Sequence, residues 1–202
     1  MGEDEHGYVQ KNARQVKDLW DFYQQELRSK VSPKAEKPIM RIASRIVARR
    51  TDTTRVEFME DFVTTLGRRI YLPFTPGATG TGWSFRDQML LCVHEHQHVV
   101  QWRKKPLRFL VQYARDTRKR ALFEAEAFLG EFEACEAWGW SPPDLEQRIG
   151  TLRGYGVTDE DVAAARRFLV GTFHERGGIG KRVEWTRSGQ LAARWAVGGN
   201  EP

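Results

Sequence analysis

A chain of 202 residues, 40% hydrophobic and 29% charged, has the size and balance of one soluble domain and excludes fibrous or disordered classes. Its net charge of +5 permits contact with acidic surfaces without requiring it. Two cysteines make no disulfide framework, and the acidic start and absence of any window near 18 apolar residues predict a cytoplasmic protein with no signal peptide, membrane span or membrane partner.

In chain order, Val16, Leu19, Trp20, Tyr23 and Leu27 recur at helical spacing, which predicts an amphipathic helix over 8–30, ended near Ser32-Pro33. A second helix is expected after Pro38, with Ile39, Ile42, Ala43, Ile46 and Val47 on one stripe and Arg41, Arg45 and Arg49 on another face. Over 54–74 the pattern changes to strand. Val56 and Phe58 alternate with charges, 62–65 is β-prone, Leu66-Gly67 reads as a turn and 68–74 as a further strand, giving a small antiparallel sheet. The breaker-rich stretch 75–82 matches no phosphate-binding fingerprint and is expected to be a mobile loop beside a cleft.

Ser84 with Asp87 forms a relative of the capping box and opens a long helix to about Trp102, with Pro106 marking its end. A short helix over 107–113 and a long one over 116–138 follow, then helices over 145–152 and 159–170. The tail reads as a hairpin, with Val183 and Trp185 facing Leu191, Ala193 and Trp195 around Ser188-Gly189. The expected class is α+β and mostly helical. Residues 1–53 form a helical segment, 54–140 the core and 141–202 the C-terminal helices and hairpin, together one compact domain.

Residues 94–98 read His-Glu-His-Gln-His. On a helix, His94 and His98 project from one face, so both imidazoles reach a single ion, and Zn²⁺ is the metal this pattern suits. Glu95 sits beside the first ligand, placed to take a proton from water acidified by the metal. His96 points elsewhere and is expected to be outer-shell or exposed. Cys92 and His96 form a competing pair that has no carboxylate in the Glu95 position. A third protein ligand is expected from the helix over 116–138, where Glu124 and Glu126 compete. Glu124 shares a face with Ala121, Phe128, Glu131 and Cys135, and Glu126 is rotated by about 200°. The carboxylates there other than Glu124, namely its rival Glu126 with Glu131, Glu133 and Glu136, are expected to be solvated.

Pairing His94-Glu95-x-x-His98 with Glu124-x-x-Ala127 resembles the gluzincin branch of the zincin metallopeptidases, and the strings 98–101 and 124–127 are similar to small stand-alone peptidases of bacteria and their phages. The resemblance covers 71–138, about a third of the chain. It implies a zincin-like core with His94, His98 and Glu124 as zinc ligands, Glu95 as general base and Ala127 as the small residue that lets two helices approach. Many gluzincins carry Asp after the second motif. Here Phe128 stands there, so the carboxylate that orients a histidine must come from elsewhere. Tyr155 and His174 are candidates for stabilising an oxyanion.

The leading expectation is therefore a zinc metallopeptidase acting on a peptide or protein. The alternative is a zinc-stabilised structural protein, for example a phage-particle component associated with the virion. A third reading, binding of nucleic acid by a winged-helix-like tail with Arg166, Arg167, Lys181 and Arg182, lacks a set of base-reading side chains.

Overall fold

The computed structural model describes residues 3–34, 63–177 and 185–198, with side chains except those of 3–9, 11 and 173–177. The helix expected after Pro38 and the alternation at Val56 and Phe58 lie outside these residues, as do Val183, Lys181, Arg182 and the His174 side chain. The described residues are mostly helical with one small sheet. Along it run α1 (Glu3–Leu27), β1 (Lys30–Pro33), β2 (Thr64–Leu66), β3 (Arg69–Leu72), α2 (Phe85–Lys104), α3 (Pro106–Arg115), α4 (Thr117–Trp138), α5 (Leu145–Thr151), a 3₁₀ turn (Leu152–Tyr155), α6 (Asp159–Gly177) and α7 (Arg187–Val197).

The sheet has the order β1-β3-β2 and is mixed, not antiparallel throughout. β2 and β3 form the expected hairpin through Gly67, whose φ of +66° suits a residue without a Cβ. β1 runs parallel to β3, Val31 opposite Ile70. The first helix thus stops at Leu27, and 30–33, read as its tail, pairs instead with a strand far along the chain.

α2 and α4 form the centre. Ser84 caps α2 with the full reciprocal box to Asp87, Pro106 begins α3, and Asp116 caps α4 through Lys119 N. One apolar cluster joins α1, β3, α2, the last turns of α4 and α7 around Trp20, Tyr23, Val93, Trp138, Leu191 and Trp195. A second joins α4 to α5 and α6 around Phe128, Phe132, Ile149, Leu152 and Leu169. α4 therefore buries nearly its whole circumference, while α2 presents one side to α1 and the other to α4.

One expectation needs correction. Residues 187–197 form helix α7 where one side of a hairpin was expected. Thr186 caps it, accepting from Gly189 N, and Leu191, Ala192 and Trp195 are buried at helical spacing. Ser188-Gly189 is the first turn of that helix, kept small by contact with α4. A Cβ on Gly189 would lie 2.0 Å from Glu133 Oε2, and one on Gly130 would lie 2.5 Å from Ser188 Oγ. The winged-helix reading loses its wing among the described residues, and Arg166 is paired with Glu146 at 2.7 Å. In the loop at 75–82, Gln88 accepts from Gly77 N at 2.9 Å and donates to Ala78 O, and it also donates to Trp83 O, which ties the loop to the start of α2.

Candidate metal centre

His94 and His98, one turn apart on α2, stack edge to face with ring centroids 4.9 Å apart. Their shared face meets α4 at Glu124, whose side chain is fully buried between the two helices. Its Oε2 lies 3.3 Å from His94 Nε2 and its Oε1 3.4 Å from His98 Nε2. One ligand atom from each of the three residues falls within 4.8 Å of the others, and all three side chains are buried.

Outer partners decide which nitrogens face inward. His94 Nδ1 is 2.8 Å from Glu131 Oε1, so in the neutral ring this nitrogen holds the proton and donates it to the carboxylate. His98 Nδ1 is 2.8 Å from Gln101 Oε1. Gln101 Nε2 donates to Phe123 O at 2.8 Å and Glu126 Oε2 at 2.9 Å, which turns the amide oxygen toward His98. Both Nε2 atoms are left as lone pairs aimed at a carboxylate. Glu124 Oε2 accordingly has no hydrogen-bond partner, although it is buried and at ion-pair distance from His94. With both rings neutral, three acceptors converge with no donor among them, and burial disfavours such an arrangement unless a proton or a metal ion lies between them. Two imidazole nitrogens and one carboxylate oxygen are a donor set for a divalent metal, so the residues fit one.

Without metal, protons take the cation's place. Burial disfavours a charged imidazole, but the hydrogen bonds and charges of Glu124 and Glu131 outweigh it and push His94 up to about 10. His98 is raised as well, burial again being overcome by Glu124. Glu124 is driven well below the ordinary carboxylate range, because His98 and His94 overcome the effect of its burial.

Two expectations about carboxylates fail here. Glu131 and Glu133 are buried, not solvated. Glu131 supplies the orienting carboxylate that Phe128 does not, and its second oxygen forms an ion pair with Arg148 Nη2 at 3.0 Å. Glu133 accepts from Thr186 N at 3.0 Å and from the Thr186 hydroxyl, anchoring the start of α7. Glu136 is exposed as expected. Glu126 stands outside the three-residue group and binds the amides of Gln97 and Gln101 instead.

His96 is neither exposed nor near the metal group. It is fully buried, with Nδ1 2.7 Å from Cys92 O and Nε2 2.9 Å from Ser29 Oγ, and packs on Trp20 and Tyr23. Both nitrogens are thereby satisfied in the neutral ring. Cys92 is buried and free, but its pairing with His96 gains no third ligand among the described residues.

Glu95 lies beside the ligand face and accepts the Thr65 hydroxyl of β2 at 2.5 Å. Lys34, buried at the end of β1, is lowered to about 8 by burial, against the opposing charge of Glu95. Tyr155, singled out from sequence, is near the group: Glu124 foremost, then burial and the charges of Glu95 and Glu131, hold its hydroxyl protonated. Tyr113 was not foreseen. It donates to Glu124 Oε1 at 2.5 Å, and burial and Glu124 keep it protonated too. Arg120 ties the two tyrosines together, donating to Tyr113 O, Ala114 O and Tyr155 O. Of the missed residues, Gln101 carried a readable signal, three positions after His98 on the same helix face. Tyr113 carried none, because its role depends on how α3 folds back over α4. No protein-family model, curated protein or solved structure matches this chain, so its own geometry is the basis for a functional reading.

Proposed function

We propose that the protein is a zinc-dependent peptidase of the zincin type, with His94, His98 and Glu124 holding the metal and Glu95 serving as general base. The observation that carries this reading is the convergence of three buried acceptor atoms, one of them without any hydrogen bond, beside a further carboxylate that belongs to no ligand pair. Bound Zn²⁺ would supply Lewis-acid polarisation of a carbonyl and a lowered pKa for water. Glu95 takes the proton from the attacking water and passes it to the leaving amine. Thr65, donating to Glu95 Oε2, holds the carboxylate in one orientation. The Tyr155 hydroxyl stays protonated and is the donor assigned to the developing oxyanion, whereas Tyr113 is committed to Glu124. Glu131 and Gln101 fix the two imidazoles in the tautomer that ligation needs.

The burial of all three ligands between two central helices favours a second reading, a zinc clamp in a structural protein. One experiment separates the two. Zinc content and turnover of a peptide library are measured for wild type and Glu95→Gln. The peptidase reading expects about one zinc per chain in both and cleavage by wild type alone, since the amide keeps the carboxylate's shape but cannot accept the proton. Zinc in both with cleavage by neither leaves the clamp. Wild type that takes up no added zinc ends both readings.

A further inference from the structure

α3 has two faces. Phe109 and Tyr113 turn inward, Phe109 packing on Phe123 with centroids 4.9 Å apart and Tyr113 reaching Glu124. Leu107, Leu110, Val111 and Ala114 share an outward arc of about 100°. Leu107 is 81% exposed, Val111 54% and Leu110 40%. A helix whose whole task was to cover α4 would carry polar residues there.

Cations surround this stripe. Arg108 and Arg115 occupy the adjoining arc, while Lys105 and Lys119 flank the two ends. All four are exposed, and none makes an ion pair among the described residues. Within 103–120 stand Arg103, Lys104, Lys105, Arg108, Arg115, Arg118, Lys119 and Arg120 against the single acid Asp116. That local excess is larger than the net charge of +5 on the entire chain. Arg108 and Lys119 also lie in the first turns of α3 and α4, which hold no acidic residue. The helix dipole disfavours a cation at that end, so helix stability does not account for them.

We propose that the outer face of α3 docks the protein on an anionic lipid bilayer surface. The headgroup region offers negative charge to the four cations and an apolar boundary to Leu107, Leu110 and Val111 at the same depth. Nucleic acid would satisfy the cations and leave the three apolar side chains in water. Docking of this kind needs no span, and no helix among the described residues is long and apolar enough to cross a membrane. The expectation of no membrane partner rested on the missing span alone and does not bear on a surface. The proposal is independent of the metal chemistry.

The test is co-sedimentation of the full chain with vesicles of phosphatidylglycerol and phosphatidylcholine in equal parts, beside vesicles of phosphatidylcholine alone. Wild type is expected to partition onto the anionic vesicles, and the binding to disappear at high salt. The pairs Leu107→Ser with Val111→Ser, and Arg108→Gln with Arg115→Gln, should each weaken it by at least about tenfold while melting like wild type, because the altered side chains are exposed. Failure of wild type to bind anionic vesicles overturns the proposal, as does equal binding by both variants. Duplex DNA binding that survives the Leu107→Ser, Val111→Ser change, without vesicle binding, would make the face a polyanion site. Concentration-dependent dimers lost in that variant, again without vesicle binding, would make it a contact between copies.

Discussion

His94 and His96 stand two residues apart on α2, both buried, and end in opposite states. His94 has a carboxylate at each nitrogen, Glu131 at Nδ1 and Glu124 at Nε2, and is pushed up to about 10 despite its burial. His96 donates to Cys92 O, receives the Ser29 hydroxyl, and is pushed down to about 4 because burial dominates. Burial alone therefore does not tell a ligand from a core histidine. The distinction lies in whether the buried polar groups around the ring already satisfy one another, as they do at His96, or leave acceptors facing acceptors, as at Glu124.

Removing the carboxylate at the centre of the group should break this contrast most. Glu124→Ala is expected to lower zinc affinity by at least about 100-fold, beyond the upper end of what loss of an outer partner costs. Glu126→Ala should leave affinity nearly unchanged, since Glu126 reaches the Gln97 and Gln101 amides and Lys104 Nζ but neither histidine. Competition with a chromogenic chelator measures both. The reverse ranking would move the third ligand to Glu126.

A smaller loss is expected at the outer partner. Glu131→Gln keeps the shape but removes the charge facing His94 Nδ1, and should weaken zinc binding by about 10–100-fold. It also leaves Arg148 without its buried partner, so a thermal melt must accompany the titration. Unchanged affinity in a variant that melts like wild type would reduce Glu131 to a structural ion pair.

On zinc itself the smallest effect belongs to His96, and pH exposes its difference from His94. In metal-free protein His94 is raised above its ordinary 6.5, so its contribution to stability is complete below about 6.5 and is lost as pH rises toward about 10. His96 is lowered, so its contribution is present above about 6.5 and is lost as pH falls toward about 4. His94 and His96 each contribute a slope of at most about 1.4 kcal/mol per pH unit to their limb. His96→Gln should flatten only the acid limb and leave zinc content as in wild type. Saturating zinc should flatten the alkaline limb, because His94 is then neutral on both sides of that range. Chemical denaturation across pH, with and without zinc, tests these signs, and an acid limb unaltered in His96→Gln would refute the assignment.

Much of this contrast was readable before any fold was known, and some was not. The α2 cap at Ser84 and Asp87 and the break at Pro106 are local signals and stand where expected. So does the grouping of His94, His98 and Glu124: helical periodicity puts the two histidines on one face, and the likeness of Glu124-x-x-Ala127 to the gluzincin pattern pointed to the third member. The fate of Glu131 and Glu133 was not readable, since composition alone favours solvent for a carboxylate. What buries them are Arg148 and His94 around one, and Thr186 at the cap of α7 around the other. The hairpin expected at 183–195 went wrong where Ser188-Gly189 imitates a turn, although small residues there answer to contact with α4.

By itself the sequence determined the helix that carries the histidine motif, its cap and the face that His94 and His98 share. Each of these depends on residues within a turn or two of one another. Tertiary structure decided what stood across the gap. The pairing of β1 with β3, the closing of α3 over Glu124 by Tyr113 and the carboxylate behind His94 join residues distant in sequence. Their energies come from desolvation and hydrogen-bond satisfaction, which depend on every group that surrounds an atom and not on its own position in the chain.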